Sequence, residues 1–322
     1  MSPSQNNDVN TPARFTTWIA STVHVYLRHS PVEIGKWRLY RLFAKLLERP
    51  FTETTIRTRY GHRITLRGNQ FLERYIYDWG TWQEFETRLL LACLKPGDVF
   101  VDVGANIGHF TLTAARKVGP KGHVYAVEAT PPTMDRLKRH VVMNKLTNVT
   151  LCACAVADRT GTVKIGVPQA GNVGANTIRE SIGGEAWDVP CETLDVVLGG
   201  CPVSVMKIDI EGAELLALKG AKNVLSSPSP PVLILEIYDK WIEELGGKFE
   251  ELITLLQQSG YEPYLIDEEG LATTSFADLP RHRQFDLLCK PPSFKLPRAI
   301  RAARPGNRPL EASEAFAHAF QF

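Results

Sequence analysis

Five acidic side chains stand at or just beyond the ends of apolar runs. Asp102 lies in "VFVDV" just before Gly104-Ala105-Asn106-Ile107-Gly108. Glu128 follows "HVYAV", Asp209 and Glu211 follow "VSVMKI", and Glu236 lies near the end of "VLILEI". A short aliphatic run reads as a strand buried on both faces, and an acid at its end is delivered to one edge of the sheet. The first loop reads Asp-x-Gly-x-Asn-x-Gly, which departs from the G-x-G-x-x-G dinucleotide fingerprint. A carboxylate at Asp102 would repel a pyrophosphate and favour a ligand carrying an ammonium group. The glycines are expected to let the backbone approach that ligand, and the N–H groups of the following helix to receive its carboxylate. Glu128, after the next strand, is placed to accept both hydroxyls of a ribose. A nucleoside with an amino-acid tail satisfies all of these features, and S-adenosylmethionine is such a molecule.

Methyl transfer from a sulfonium is an in-line displacement, so positioning supplies much of the rate. A hydroxyl acceptor also gains roughly 10²–10⁴-fold from a general base. Asp209, Glu211 and Glu236 are the candidates. The competing reading is that Asp209 or Glu211 caps a helix beginning near Ala213. His109, in the first turn after the loop, is read as a packing residue. A cluster of acids is also able to hold Mg²⁺, but nothing in the spacing requires a metal and none is assigned.

These residues need a frame. Strand and helix alternate after Asp98: strands at Val99–Val103, His123–Val127, Val149–Cys154, Val203–Ile208 and Val232–Ile237, with helices between them. Two late strands follow at Pro263–Ile266 and Gln284–Cys289. Thr130 is expected to cap the helix that opens with Pro131. The pattern is that of a doubly wound α/β sheet. Gly161–Trp187 breaks the rhythm and reads as a mobile lid, with Asn172, Asn176 and Arg179 as acceptor contacts or, alternatively, as part of a solvated loop.

Upstream, residues 1–12 read as a disordered tail. The helical pattern from Arg14 to Leu47 places Phe15, Trp18, Ile19, Thr22 and Tyr26 on one face, and Leu39, Leu42, Phe43 and Leu46 on another, each expected to pack. "TTIRTRYGHRITL" reads as a hairpin. Lys290 to Pro309 carries six basic residues and no acidic one. The chain has 322 residues, is 44% hydrophobic and 22% charged, and has a net charge of +2. That balance gives no overall case for nucleic acid. No secretory leader or membrane-spanning run is recognised, and six scattered cysteines read as free thiols of a cytoplasmic protein.

"LKPGDVFVDVGANIGHFTLTAA", "VPCETLDVVL", "VMKIDIEGAELLALKGAKNVL" and "PPVLILEIYD" resemble, in that order, the motifs of the FkbM-type S-adenosylmethionine-dependent methyltransferases. The resemblance covers Thr81 to Lys290. It implies a Rossmann-like, seven-stranded methyltransferase sheet with its last strand antiparallel, and methylation of a hydroxyl on a sugar, glycan or polyketide-type product. It places Asp102, Gly104, Ala105, Asn106 and Gly108 in the cofactor loop, and Glu128 with Ala129 at the ribose. Ala155–Asp158, including Ala157 and Asp158, falls at the adenine edge. Apart from the resemblance, Asp209 is also a candidate cofactor contact, against the methionine ammonium. One departure stands out: an aromatic-Glu pair of the family reads Trp82-Gln83 here, with Glu84 one residue later.

The expected layout is a tail at 1–12, helices and a hairpin packed on the core at 13–80, the methyltransferase domain at 81–290 and a basic tail at 291–322. The expected partner is a small-molecule or glycan acceptor. The rival readings are a non-catalytic binding module of the same fold and a peripheral membrane protein attached by its N-terminal helices.

Overall fold

The computed structural model describes residues 11–30, 36–47, 51–166, 185–267, 270–297 and 300. The chain divides into two compact units between Trp82 and Gln83.

The first unit contains helices α1 (Thr11–His29) and α2 (Lys36–Leu47), the antiparallel strands β1 (Glu53–Arg57) and β2 (Arg63–Arg67), and helix α3 (Phe71–Trp79). The hairpin matches the sequence reading. Helix α3 is an addition to that reading, because "FLERYIYDW" mixes apolar and charged residues and its N-cap residue, Gln70, makes no capping bond. Its Asp78 is fully buried and ties three helices together. It accepts from His24 Nε2 of α1 at 2.8 Å, from Tyr40 of α2 at 3.3 Å and from Arg74 Nε of its own helix at 3.1 Å.

Helix α1 begins at Thr11, two residues inside the stretch expected to be a tail, and residues 1–10 lie outside the described residues. The packing faces also differ from expectation. Ala20, Val23, His24 and Leu27 are buried on α1 and Tyr40 and Leu47 on α2, whereas Trp18, Thr22, Tyr26 and Leu42 are exposed. The buried stripe uses smaller residues, one of them the polar partner of Asp78, so the largest apolar side chains do not mark it.

The second unit begins with α4 (Glu84–Cys93), β3 (Val99–Val103), α5 (His109–Val118), β4 (His123–Val127), α6 (Pro131–Met143) and β5 (Val149–Cys152). The short strands β6 (Ala155–Val156), β7 (Gly161–Gly166) and β8 (Ala186–Glu192) follow, then α7 (Leu194–Leu198), β9 (Val205–Ile208), α8 (Glu214–Lys219) and α9 (Lys222–Leu225). The chain continues with β10 (Val232–Ile237), α10 (Asp239–Glu244), α11 (Phe249–Gln258), β11 (Glu262–Ile266), β12 (Leu271–Thr273) and β13 (Phe285–Lys290).

The main sheet runs β12-β11-β13-β10-β9-β3-β4-β5. Strands β5, β4, β3, β9 and β10 are parallel neighbours, and β13 runs antiparallel to both β10 and β11. This is the doubly wound, Rossmann-like sheet with an antiparallel last strand. It gains an eighth strand, the three-residue β12, on the outer edge beside β11. Strand order reverses beside β3, whose neighbours are β4 and β9, and side chains at the carboxyl ends of those strands converge there.

The stretch expected to be a lid is bounded by structure. Strands β7 and β8 pair from Gly161↔Cys191 to Gly166↔Ala186 in a separate three-stranded sheet with β6. Ile165, Val189 and Cys191 are buried with Ala155 and Ala157. The flanking glycines hid an alternation that is present in "GTVKIG" and "AWDVPCE". Asn172, Asn176 and Arg179 lie outside the described residues. At the other end, Leu296 and Ile300 are buried, so the segment expected to be a basic tail starts as packed chain. All six cysteines are free thiols.

Candidate active site

The loop from β3 to α5 folds back over the end of β4. Gly104 N and Ala105 N both donate to Val127 O, at 3.0 and 2.9 Å. Asn106 N donates to Glu128 Oε2 at 2.9 Å, Ile107 N to Asn106 Oδ1 at 2.7 Å and Gly108 N to Ala105 O at 2.9 Å. All five N–H groups of the loop are therefore used within the protein. None of these five is left to donate to a ligand carboxylate, which leaves that role to the first N–H groups of α5.

The glycines answer to the chain itself as well. A Cβ on Gly104 would lie 1.9 Å from Asp209 O, and one on Gly108 would lie 2.4 Å from a Leu137 methyl. Asn106 is left-handed at φ 50°, a conformation Asn tolerates better than most residues, and its side chain caps the next N–H.

Glu128 is buried, and its other oxygen accepts Thr130 N at 2.8 Å. Thr130 makes no side-chain cap on α6, because its hydroxyl hydrogen-bonds Glu128 as well. Burial raises the Glu128 pKa, and the bonds from Thr130 and Asn106 oppose that rise. Asp102 is also buried and accepts the Thr111 hydroxyl at 2.5 Å; burial lifts it to about 6. Ala105 packs with Leu112, Met134 and Leu137, and Ala129 lies beside the cluster around Ala155. Ala157 N donates to Glu192 O at 3.0 Å, whereas Asp158 is exposed next to Arg159.

The second half of the site forms where β9 and β10 end. Leu235 pairs with Ile208, so Glu236 and Asp209 follow side by side, and Asp286 of β13 pairs with Glu236. Lys207 is buried in the middle of β9. Its Nζ donates to Asp209 Oδ2 at 2.6 Å, stands 3.6 Å from Glu86 Oε1 and sits 4.7 Å from the centre of the Phe110 ring.

One cation thus faces four acids, and two like charges about 4 Å apart repel by about 4 kcal/mol at an effective dielectric of 20. The protons divide accordingly. Burial would raise Asp209, but the charge of Lys207 and the bonds from Glu236 and Lys207 hold it below the usual carboxylate range. Glu236 is pushed well up by burial and then by Asp209, and also accepts Gln284 Nε2 at 2.5 Å. Burial takes Glu86 to about 8 and Asp286 to about 7, with Lys207 opposing both. Asp209 is the ionised member, and protonated Glu236 is its donor.

Glu211 and Gly212 are both left-handed, at φ 55° and 105°, and a Cβ on Gly212 would strike the Trp241 backbone at 2.7 Å. Neither Asp209 nor Glu211 closes this turn. Glu214 does, with Oε1 accepting Ile210 N and Gly212 N, both at 3.1 Å. Glu211 lies near enough to raise Glu236 further. His109 is buried beside Thr87, with Nε2 to Oγ1 at 3.2 Å, and burial together with Lys207 lowers it to about 3. It is a neutral packing residue.

The sequence reading missed Lys207, Glu86 and Asp286. Lys207 had a signal: a lone cation inside the apolar run "VSVMKI". The acid drawn to it from α4 is Glu86, not Glu84, while Gln83 occupies a left-handed N-cap at φ 41°.

The shared protons predict a pH dependence. Unfolded Glu86 ionises near its ordinary 4.5, and the folded protein keeps the proton to about 8. The folded state binds more protons in that window, so stability falls as pH rises through it. Thermal melts should show this slope, and Glu86→Gln should flatten it; an unchanged slope in the variant contradicts the assignment.

A family model described as Methyltransferase FkbM domain matches residues 102–263. The chain is 31% identical over 227 residues to Methyltransferase sdnD of Sordaria araneosa, spanning 60% of this chain and 85% of the relative. It is 32% identical over 160 residues to Hexuronic acid methyltransferase AglP of Haloferax volcanii, spanning 47% of this chain and 60% of the relative. Among solved structures, M. jannaschii TYW2 in complex with AdoMet aligns over 75% of this chain and 85% of that one. The TM-score is 0.39 and the identity 18%, too distant to bear on the site.

Proposed function

The chain belongs to the FkbM methyltransferase family, and from that premise we propose that it methylates a hydroxyl oxygen of a sugar, glycan or polyketide-type acceptor, with Asp209 as the base. S-adenosylmethionine is the methyl donor and supplies an activated methyl group on a sulfonium. The observation that carries the reading is the ionised Asp209 carboxylate at the end of β9, beside the strand-order reversal, held by Lys207 at 2.6 Å.

Glu128 fits the cofactor. Its oxygens accept the N–H groups of Asn106 and Thr130 and the Thr130 hydroxyl, which leaves about one of the four lone-pair sites of a carboxylate for a ribose hydroxyl. Asp102, at the end of the first strand, adds negative charge on the side where a methionine ammonium belongs.

Asp209 orients the acceptor hydroxyl and takes its proton as the oxygen–carbon bond forms. A hydroxyl that is gaining a methyl group becomes strongly acidic, so a carboxylate with a lowered pKa is basic enough. Glu236, protonated and bonded to Asp209, steadies the carboxylate, and Lys207 keeps it ionised until the proton arrives. The name of the Haloferax relative makes hexuronic acids the first acceptors to try.

The test incubates the protein with methyl-labelled cofactor and a panel of hexuronic acids, neutral sugars and hydroxylated polyketides. A label that is stable to base and released as methyl iodide by hydriodic acid identifies an ether and supports the reading. A base-labile label identifies an ester on a carboxylate and overturns it.

Glu128→Ala should weaken cofactor binding by roughly 10-fold or more, as expected for lost charged hydrogen bonds. The variant also leaves the N–H groups of Asn106 and Thr130 without their acceptor. A stability loss of roughly 1–3 kcal/mol is therefore expected alongside. Calorimetry and melting on the same sample check both effects; intact affinity in a folded variant removes Glu128 from the cofactor site.

A further inference from the structure

Six large hydrophobic side chains are exposed among the described residues, and four of them stand on α1 and α2: Trp18 at 64%, Val25 at 57%, Tyr26 at 40% and Leu42 at 76%. They are not scattered. Trp18, Ser21, Thr22, Val25, Tyr26 and His29 are all exposed and follow helical spacing, so they form one face of α1. Arg38, Arg41, Leu42 and Lys45 form the exposed face of α2 in the same way. Neither helix contains an Asp or Glu, although acids and bases nearly balance over the whole chain, 35 against 37.

Charge and chemistry together select the partner. The core of a protein interface is depleted in charged residues, whereas this surface presents three cations on a helix that carries no acid. A nucleic-acid phosphate backbone would pair with the cations but offers nothing to Val25 and Leu42. An anionic bilayer meets both demands: lipid phosphates for Arg and Lys, and an interface in which Trp and Tyr are enriched. No helix among the described residues is long and apolar enough to cross a membrane.

We propose that α1 and α2 lay these faces on an anionic lipid surface. Arg38, Arg41 and Lys45 pair with headgroups, Trp18 and Tyr26 sit at headgroup level, and Val25 and Leu42 enter the acyl boundary. This surface is independent of the transfer chemistry.

The test is flotation of the full chain with phosphatidylcholine vesicles, with and without phosphatidylserine, at low and high salt. The chain should float with the serine-containing vesicles, and salt should release it. Joint Arg38→Gln, Arg41→Gln and Lys45→Gln should lower partitioning by roughly a hundredfold, at about one kilocalorie per charge. Joint Trp18→Ser and Leu42→Ser should lower it by roughly tenfold or more. These side chains are exposed, so both variants should keep the wild-type melting temperature and cofactor affinity. Three outcomes overturn the proposal. One is no serine-dependent flotation. Another is flotation untouched by either variant, which places attachment elsewhere in the chain. The third is vesicle-independent dimerisation abolished by the Trp18 and Leu42 changes, which makes a second copy the occupant.

Discussion

Asp209→Asn lowers turnover by about 100-fold or more while cofactor affinity changes far less. Asn keeps the size and one acceptor oxygen but cannot take a proton at neutral pH. A structural role predicts a different result. If Asp209 served only to close the turn before α8, Asn would substitute well, since the two residues cap about equally. Glu214 already provides those bonds to Ile210 and Gly212, so the folded state should tolerate the change. Lys207 keeps Glu86 at 3.6 Å, and the removed charge is replaced when Glu86 or Glu236 gives up its proton. The experiment measures kcat, cofactor Kd and melting temperature on one variant. Near-normal turnover would move the base to Glu236 or Glu211. Lost cofactor binding in a folded protein would place Asp209 against the cofactor instead.

Lys207→Met destabilises the protein by about 3–5 kcal/mol, the usual cost of removing one partner from a buried ion pair. Methionine fills most of the volume and can lie against Phe110, so the loss is electrostatic. Asp209, Glu86, Glu236 and Asp286 are then left without the cation that offsets their repulsion. They respond by binding protons, which sets the sign of the pH dependence. The variant is closest to wild type at acid pH, where the acids are neutral, and falls furthest behind as pH rises through about 8. Denaturant melts across this range check the effect. A constant difference between variant and wild type would mean that Lys207 acts by packing alone.

The sequence was most legible where one run of residues has one environment. Strands β3, β4 and β10 match to the residue because each is a short, mostly apolar stretch closed by glycine, an acid or a turn. The antiparallel last strand and the strand-order reversal also match the family resemblance. What was not legible depends on partners distant in the chain. Glu86, Lys207 and Asp286 lie on α4, β9 and β13, and no periodicity links them. The loop glycines were visible, but the reason for them was not. Gly104 makes room for Asp209 O, a contact that exists only once β3 and β9 are neighbours. On α1 the buried stripe is shifted toward Ala20, Val23 and His24, because Asp78 of α3 draws His24 inward and leaves Trp18 outside. Helical spacing identifies faces, and only the tertiary partner decides which one is buried.

The most direct test of the central claim is a calorimetric titration of the full chain with S-adenosylhomocysteine, the demethylated form of the donor, with NAD as control. Saturable one-to-one binding of S-adenosylhomocysteine is expected, weakened in Glu128→Ala and largely retained in Asp209→Asn, with no saturable binding of NAD. Saturable NAD binding without S-adenosylhomocysteine binding would contradict the claim.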